Sequence, residues 1–174
     1  MAITLIAHTE VGSGGAANIE FSSIPGTYDD LLIITSLRTD RASQTNDNIN
    51  IRFNGDTATN YSRTQMVATG TSVSSARGSS ATSITTTQAP GNSANANTWG
   101  TATILIPAYK NTSKNKQVLH RGAQLDNSNS TFFLGLYSGL WRSTSAITSI
   151  TLLPNTGPNI VQYSTATLYG VTKA

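Results

Sequence analysis

Asn48-Ile49-Asn50-Ile51-Arg52-Phe53-Asn54-Gly55 alternates apolar and polar side chains and then turns. A period of two puts Ile49, Ile51 and Phe53 on one face of an extended chain and Asn50 and Arg52 on the other. Asn54 and Gly55 accept positive φ at little cost, so the run closes in a turn. That is the pattern of an antiparallel strand with one face on a core.

The pattern recurs in both directions. Toward the amino end, Leu31–Leu37 starts apolar on both faces, as a central strand does. Ala17–Ile24 stops at Pro25-Gly26, and Ile3–Thr9 runs into Gly12-Ser13-Gly14-Gly15, a turn with no helix after it to cradle a phosphate. Toward the carboxyl end, Tyr61–Val67 fits a strand or a short helix equally. Trp99–Ile106, closed by Pro107, is followed by Val118–Leu125, Thr131–Trp141, Ile147–Leu153 before Pro154, and Asn159–Val171. Within Thr131–Trp141, Gly135 and Gly139 share one face, which suggests close approach, and Phe132, Leu134 and Leu136 the other. About eight or nine strands at this spacing predict one all-β domain over residues 1–174, an antiparallel β-sandwich. A jelly-roll-like winding fits best and an up-and-down barrel next.

One stretch breaks the rhythm. Ala68 to Asn97 is almost wholly Ser, Thr, Ala, Gly and Asn, with Val73 and Ile84 its only large apolar residues. A segment this polar and this long reads either as a flexible surface loop or as an extended arm that orders on a neighbouring subunit.

Composition narrows the function. The 174 residues include 27 Thr, 21 Ser and 15 Asn, but only 11% are charged, against about 25% in an average soluble domain. Thr suits a pleated surface, and Ser, Asn and Gly suit turns. The net charge of +3 comes from 7 Arg and 4 Lys scattered along the chain, not from the dense basic face of a nucleic-acid binder. With no cysteine there is neither a disulfide framework nor a thiolate metal site. No apolar run nears the ~20 residues of a membrane helix, and Met1-Ala2-Ile3-Thr4 does not read as the start of a signal peptide.

Catalytic patterns are as sparse. His8 and His120 both fall in predicted strands, and no Gly-x-Ser-x-Gly elbow is present. Adjacent Asp29 and Asp30 would point to opposite faces of a strand and so cannot share one task; turn and strand-start roles suit them better. Asn46-Asp47-Asn48-x-Asn50 resembles the start of a calcium loop but lacks its Gly and closing Glu. The expectation is no enzyme, no cofactor and no metal. Lys110, Lys114, Lys116 and Arg121 place four positive charges within twelve residues with no acid among them. They read as a solvated hairpin or as a patch that docks on an acidic protein surface. Trp99 and Trp141 read as core or interface residues, with a sugar platform as the lesser alternative.

In the carboxy-terminal third, Ser138-Gly139-Leu140-Trp141-Arg142-Ser143, Ala146-Ile147-Thr148-Ser149-Ile150-Thr151-Leu152 and Val161-Gln162-Tyr163-Ser164-Thr165-Ala166-Thr167-Leu168-Tyr169-Gly170 resemble a recurrent group of tailed-phage structural proteins. Arg38-Thr39-Asp40-Arg41, Phe53-Asn54-Gly55-Asp56, Asn60-Tyr61-Ser62 and Ile106-Pro107-Ala108-Tyr109 look like the same group. The resemblance implies a jelly-roll virion protein, commonly a homotrimer, made in the host cytoplasm and carried on the particle surface. Its partners would be the major capsid protein or other virion proteins, with no nucleic acid and no membrane. Capsid decoration or cement is the leading expectation. A tail or fibre module touching the host surface, with a glycan as its ligand, is the alternative.

Overall fold

The computed structural model describes residues 1–126 and 132–173. Twelve strands and no helix are found among them: β1 (Ala2–Glu10), β2 (Ile19–Phe21), β3 (Asp30–Leu37), β4 (Asn46–Phe53), β5 (Tyr61–Thr69), β6 (Ser72–Ala81), β7 (Ile84–Pro90), β8 (Gly100–Pro107), β9 (Lys116–Leu125), β10 (Phe132–Trp141), β11 (Ile150–Pro154) and β12 (Thr165–Thr172). Tyr61–Val67, open between strand and helix in sequence, lies in the strand β5.

All pairing is antiparallel, in a large sheet ordered β1-β12-β3-β8-β9-β10-β5-β6 and a small one ordered β2-β11-β4-β7. The order has a simple origin. β1 pairs with β12, β2 with β11, β3 with β8 and β4 with β7, as along one long two-stranded ribbon. Rolling the ribbon joins β12 to β3 in the large sheet and β11 to β4 in the small one. That is the winding of a jelly roll. Two hairpins are inserted into it, β5–β6 between β4 and β7 and β9–β10 between β8 and β11, and both extend the large sheet beyond β8.

The core lies between the sheets, where Leu31, Ile33, Ile51, Phe53, Ile84, Ile104, Ile106, Ile150, Leu152 and Leu168 are all buried. Each such side chain stabilises the fold by about 1.5–3 kcal/mol relative to exposure. Asn50, placed outward by simple alternation, is also buried. A bulge falls between Ile49 and Asn50, and the Asn50 amide donates to Asn155 Oδ1 at 3.0 Å.

The polar stretch from 68 to 97 is not a structureless arm. β7 is a core strand of the roll, with Ile84, Thr85, Thr86 and Thr87 all buried. The threonines can be buried because their hydroxyls find acceptors. Thr86 Oγ1 donates to the Ile49 carbonyl at 3.1 Å and Thr85 Oγ1 to Asn50 Oδ1 at 3.0 Å, while the methyls pack. Arg38 holds the following loop by donating to the carbonyls of Ala94, Asn95 and Thr98. Only β6 keeps something of the expected arm. It edges the large sheet beyond β5, and its residues are exposed save for the half-buried Gly78 and Ala81.

Candidate docking face

Because the strands from β12 through β3, β8, β9 and β10 to β5 pair without a register shift, the side chains on the outer face of the large sheet stand in rows. Arg121 of β9 is level with Thr103 and Ile34 on one side and with Leu136 and Met66 on the other. The next row holds Leu134, with Ala123 and Thr101 to one side and Ala68 and Val73 to the other. The row beyond Arg121 in the opposite direction carries Leu119, Leu105 and Leu32. The inner face is covered by the small sheet, and no element of the described chain covers the outer one. Leu134 is therefore 62% exposed, Leu119 51%, Leu136 46%, Met66 54% and Val73 70%. Isolated exposed leucines are ordinary, but the group spread over β9, β10, β5 and β6 makes this face the candidate docking surface.

One charge, Arg121, stands in the middle of this apolar surface, and a second, Arg77, lies on the same face at the β6 edge, level with Thr64, Ser138 and Leu119. Arg121 is exposed and makes no ion pair with any described residue. Carboxylates on the same face lie at its margins, Glu10 on the edge strand β1 and Asp30 at the start of β3. Asp30 is already engaged, accepting from the Ala108 N–H at 2.8 Å and lying 3.4 Å from Lys173 Nζ.

The four-cation patch expected from sequence does not form. Lys116 opens β9 facing inward and is 1% exposed; its ammonium donates to the carbonyls of Lys114 at 2.8 Å and Thr144 at 3.1 Å. Burial pushes its pKa down. Lys110 is 3.7 Å from Asp29 in an exposed ion pair, and Lys114 sits on the exposed turn between β8 and β9. Arg121, five residues further along β9, is roughly 17 Å from Lys116 at strand rise. It keeps a place in the candidate site, in company with leucines and not lysines.

The close approach expected at the glycine face of β10 falls inside the domain. Gly135 and Gly139 point into the molecule: a Cβ on Gly135 would run into the Tyr137 ring, and one on Gly139 would meet Ile84 Cγ2 at 2.6 Å. They permit close packing inside the domain, while the Phe132, Leu134 and Leu136 face opens to solvent.

The two histidines lie on opposite faces of the large sheet. His8 is exposed, with Nδ1 2.8 Å from Thr167 Oγ1. His120 is buried, its Nδ1 2.5 Å from the Thr86 carbonyl and its ring stacked on Tyr137 at 4.7 Å. Burial, with a smaller contribution from Arg63, lowers its pKa to about 4. Asp29 accepts from the Lys173 N–H at 2.8 Å, a chain-end role beside the strand-start role of Asp30. Asn46–Asn50 lies within β4 and is not a loop. Among the described residues no group of three His, Cys, Asp or Glu is placed to hold a metal ion. Trp141 belongs to the core, and Trp99 is half-buried at the foot of β8.

No protein-family model and no curated protein matches this chain.

Proposed function

We propose that the chain is a non-catalytic structural component of a tailed-phage particle, a decoration or cement protein seated on the assembled coat. The observation that carries a docking role is the outer face of the large sheet, where a leucine-rich surface on rigid strands has no cover from the described residues. The motif resemblance supplies the particle as the setting and a trimeric arrangement as the assembly. A rigid, flat, apolar surface suits permanent attachment, and about 1,000 Å² of buried area is the threshold for a specific contact. Repetition over a symmetric shell then multiplies a modest contact into strong retention.

Copy number and heat resistance of the particle test this together. Particles stripped of the protein should release DNA at a lower temperature than intact ones, and adding the purified protein back should restore the original value. The intact particle should hold hundreds of copies. A few dozen copies, unchanged shell stability and lost adsorption to cells would overturn the cement reading in favour of a tail or fibre part.

A further inference from the structure

We infer that the outer face of the large sheet takes a protein surface on which a carboxylate stands among aliphatic side chains, and that Arg121 selects it. The inference rests on the structural role proposed above and specifies the chemistry of the partner.

Three shallow apolar hollows adjoin Arg121. One is lined by Thr101, Ala123 and Leu134, a second by Leu105, Leu119 and Leu136, and a third by Met66, Ala68 and Val73. Aliphatic knobs from a partner would seat in these hollows, and seating them takes water away from the guanidinium between them. Covered without a counter-charge, it would oppose the contact that the leucines favour. The described residues do not supply the counter-charge: Asp30 is already engaged by Lys173 and the Ala108 N–H, and Glu10 lies four strands away, roughly 19 Å at the usual strand spacing. The occupant must therefore bring it. A planar five-donor group meets a carboxylate in a two-pronged contact, which fixes register as well as sign.

The same residue argues against other occupants. A second copy docked face to face about a two-fold axis through the centre would set Arg121 against Arg121. A nucleic acid needs a track of cations, and among the described residues this face offers two arginines set apart, Arg121 among the leucines and Arg77 three strands away on the edge strand β6. A partner with a single acidic residue ringed by Leu, Ile, Val or Ala satisfies both the hollows and the charge.

The experiment is cosedimentation of purified protein with particles from which the resident copies have been stripped, at low and moderate salt. Wild-type protein should bind. Arg121→Glu should bind roughly 100-fold more weakly, Arg121→Lys should keep part of the affinity and more of its salt dependence, and Leu136→Ser should bind weakly at any salt. All three should melt as the wild type does, because these side chains are exposed in the free protein. Equal binding by wild type and Arg121→Glu overturns the inference while leaving the particle role intact. A wild-type protein that sediments alone as an oligomer, which Arg121→Glu breaks into monomers, also overturns it by naming a second copy as the occupant. Wild-type protein that does not bind particles at all removes the particle role itself.

Discussion

Trp141→Ala is expected to lower the unfolding free energy by about 3–5 kcal/mol, a large share of the 5–15 kcal/mol of an ordinary domain. Trp141 ends β10 at the centre of an aromatic group, 5.5 Å from the Phe53 ring and 6.3 Å from Tyr61, on which it stacks. Its indole N–H donates to Asp56 Oδ2 at 2.7 Å, and Asp56 also accepts from the Asn60 amide at 3.0 Å and the Ala58 N–H at 2.8 Å. These donors hold the Asp56 carboxyl below its ordinary pKa and fix the turn between β4 and β5. Removing the indole opens a cavity between the sheets and takes away one of the bonds that shape this turn. Urea denaturation measures the loss. Trp141→Phe, which keeps a ring and drops the N–H, should cost clearly less. A cost below about 1 kcal/mol for alanine would mean that the aromatic group does not tie the sheets together.

Acidification from pH 7 to pH 4.5 should remove about 2–3 kcal/mol of stability through His120 alone. The folded imidazole, held neutral by burial, has its pKa pushed down to about 4 against an ordinary 6.5. Between those values the unfolded chain binds a proton that the folded chain does not. Stability is therefore complete above about pH 6.5 and falls as the pH drops toward 4. Asp56, whose pKa is also lowered, adds a loss of the same sign at more acidic pH. His120→Gln removes the titrating group. Its stability should vary far less between pH 7 and 4.5 than that of the wild type, whatever its absolute value. Parallel curves for the two proteins would show that His120 is not the group responsible.

Ile49, Ile51 and Phe53 announced a strand because alternation is a local property, and apolar runs bounded by turn residues located the other strands of the roll outside residues 68–97, while Tyr61–Val67 stayed open between strand and helix. Thr85, Thr86 and Thr87 hid the fold's remaining core strand. A threonine reads as polar, yet its hydroxyl can be satisfied by Ile49 or Asn50, residues far away in sequence. Lys116 misled for the mirror reason: sequence shows the charge but not the two carbonyls that take it inside. The docking face was half legible. Alternation grouped Phe132, Leu134 and Leu136 together and set Gly135 and Gly139 apart from them. It could not say which group faces the small sheet, because that depends on which side of the finished sheet is covered. Arg121 was singled out for its charge, but its position among leucines appears only when β9, β10 and β5 stand side by side.

If the protein docks as proposed, the outer face of the large sheet is covered in the assembled particle. The chain has no cysteine, so single thiols can be placed at will. Leu134→Cys puts one on that face, and Glu20→Cys puts one on the exposed side of β2 in the small sheet. Maleimide labelling of each variant, free in solution and on the particle, compares the two faces directly. The account predicts that the thiol at 134 reacts readily in free protein and is strongly protected on the particle, while the thiol at 20 reacts in free protein. Equal, rapid labelling at position 134 in both settings would contradict it.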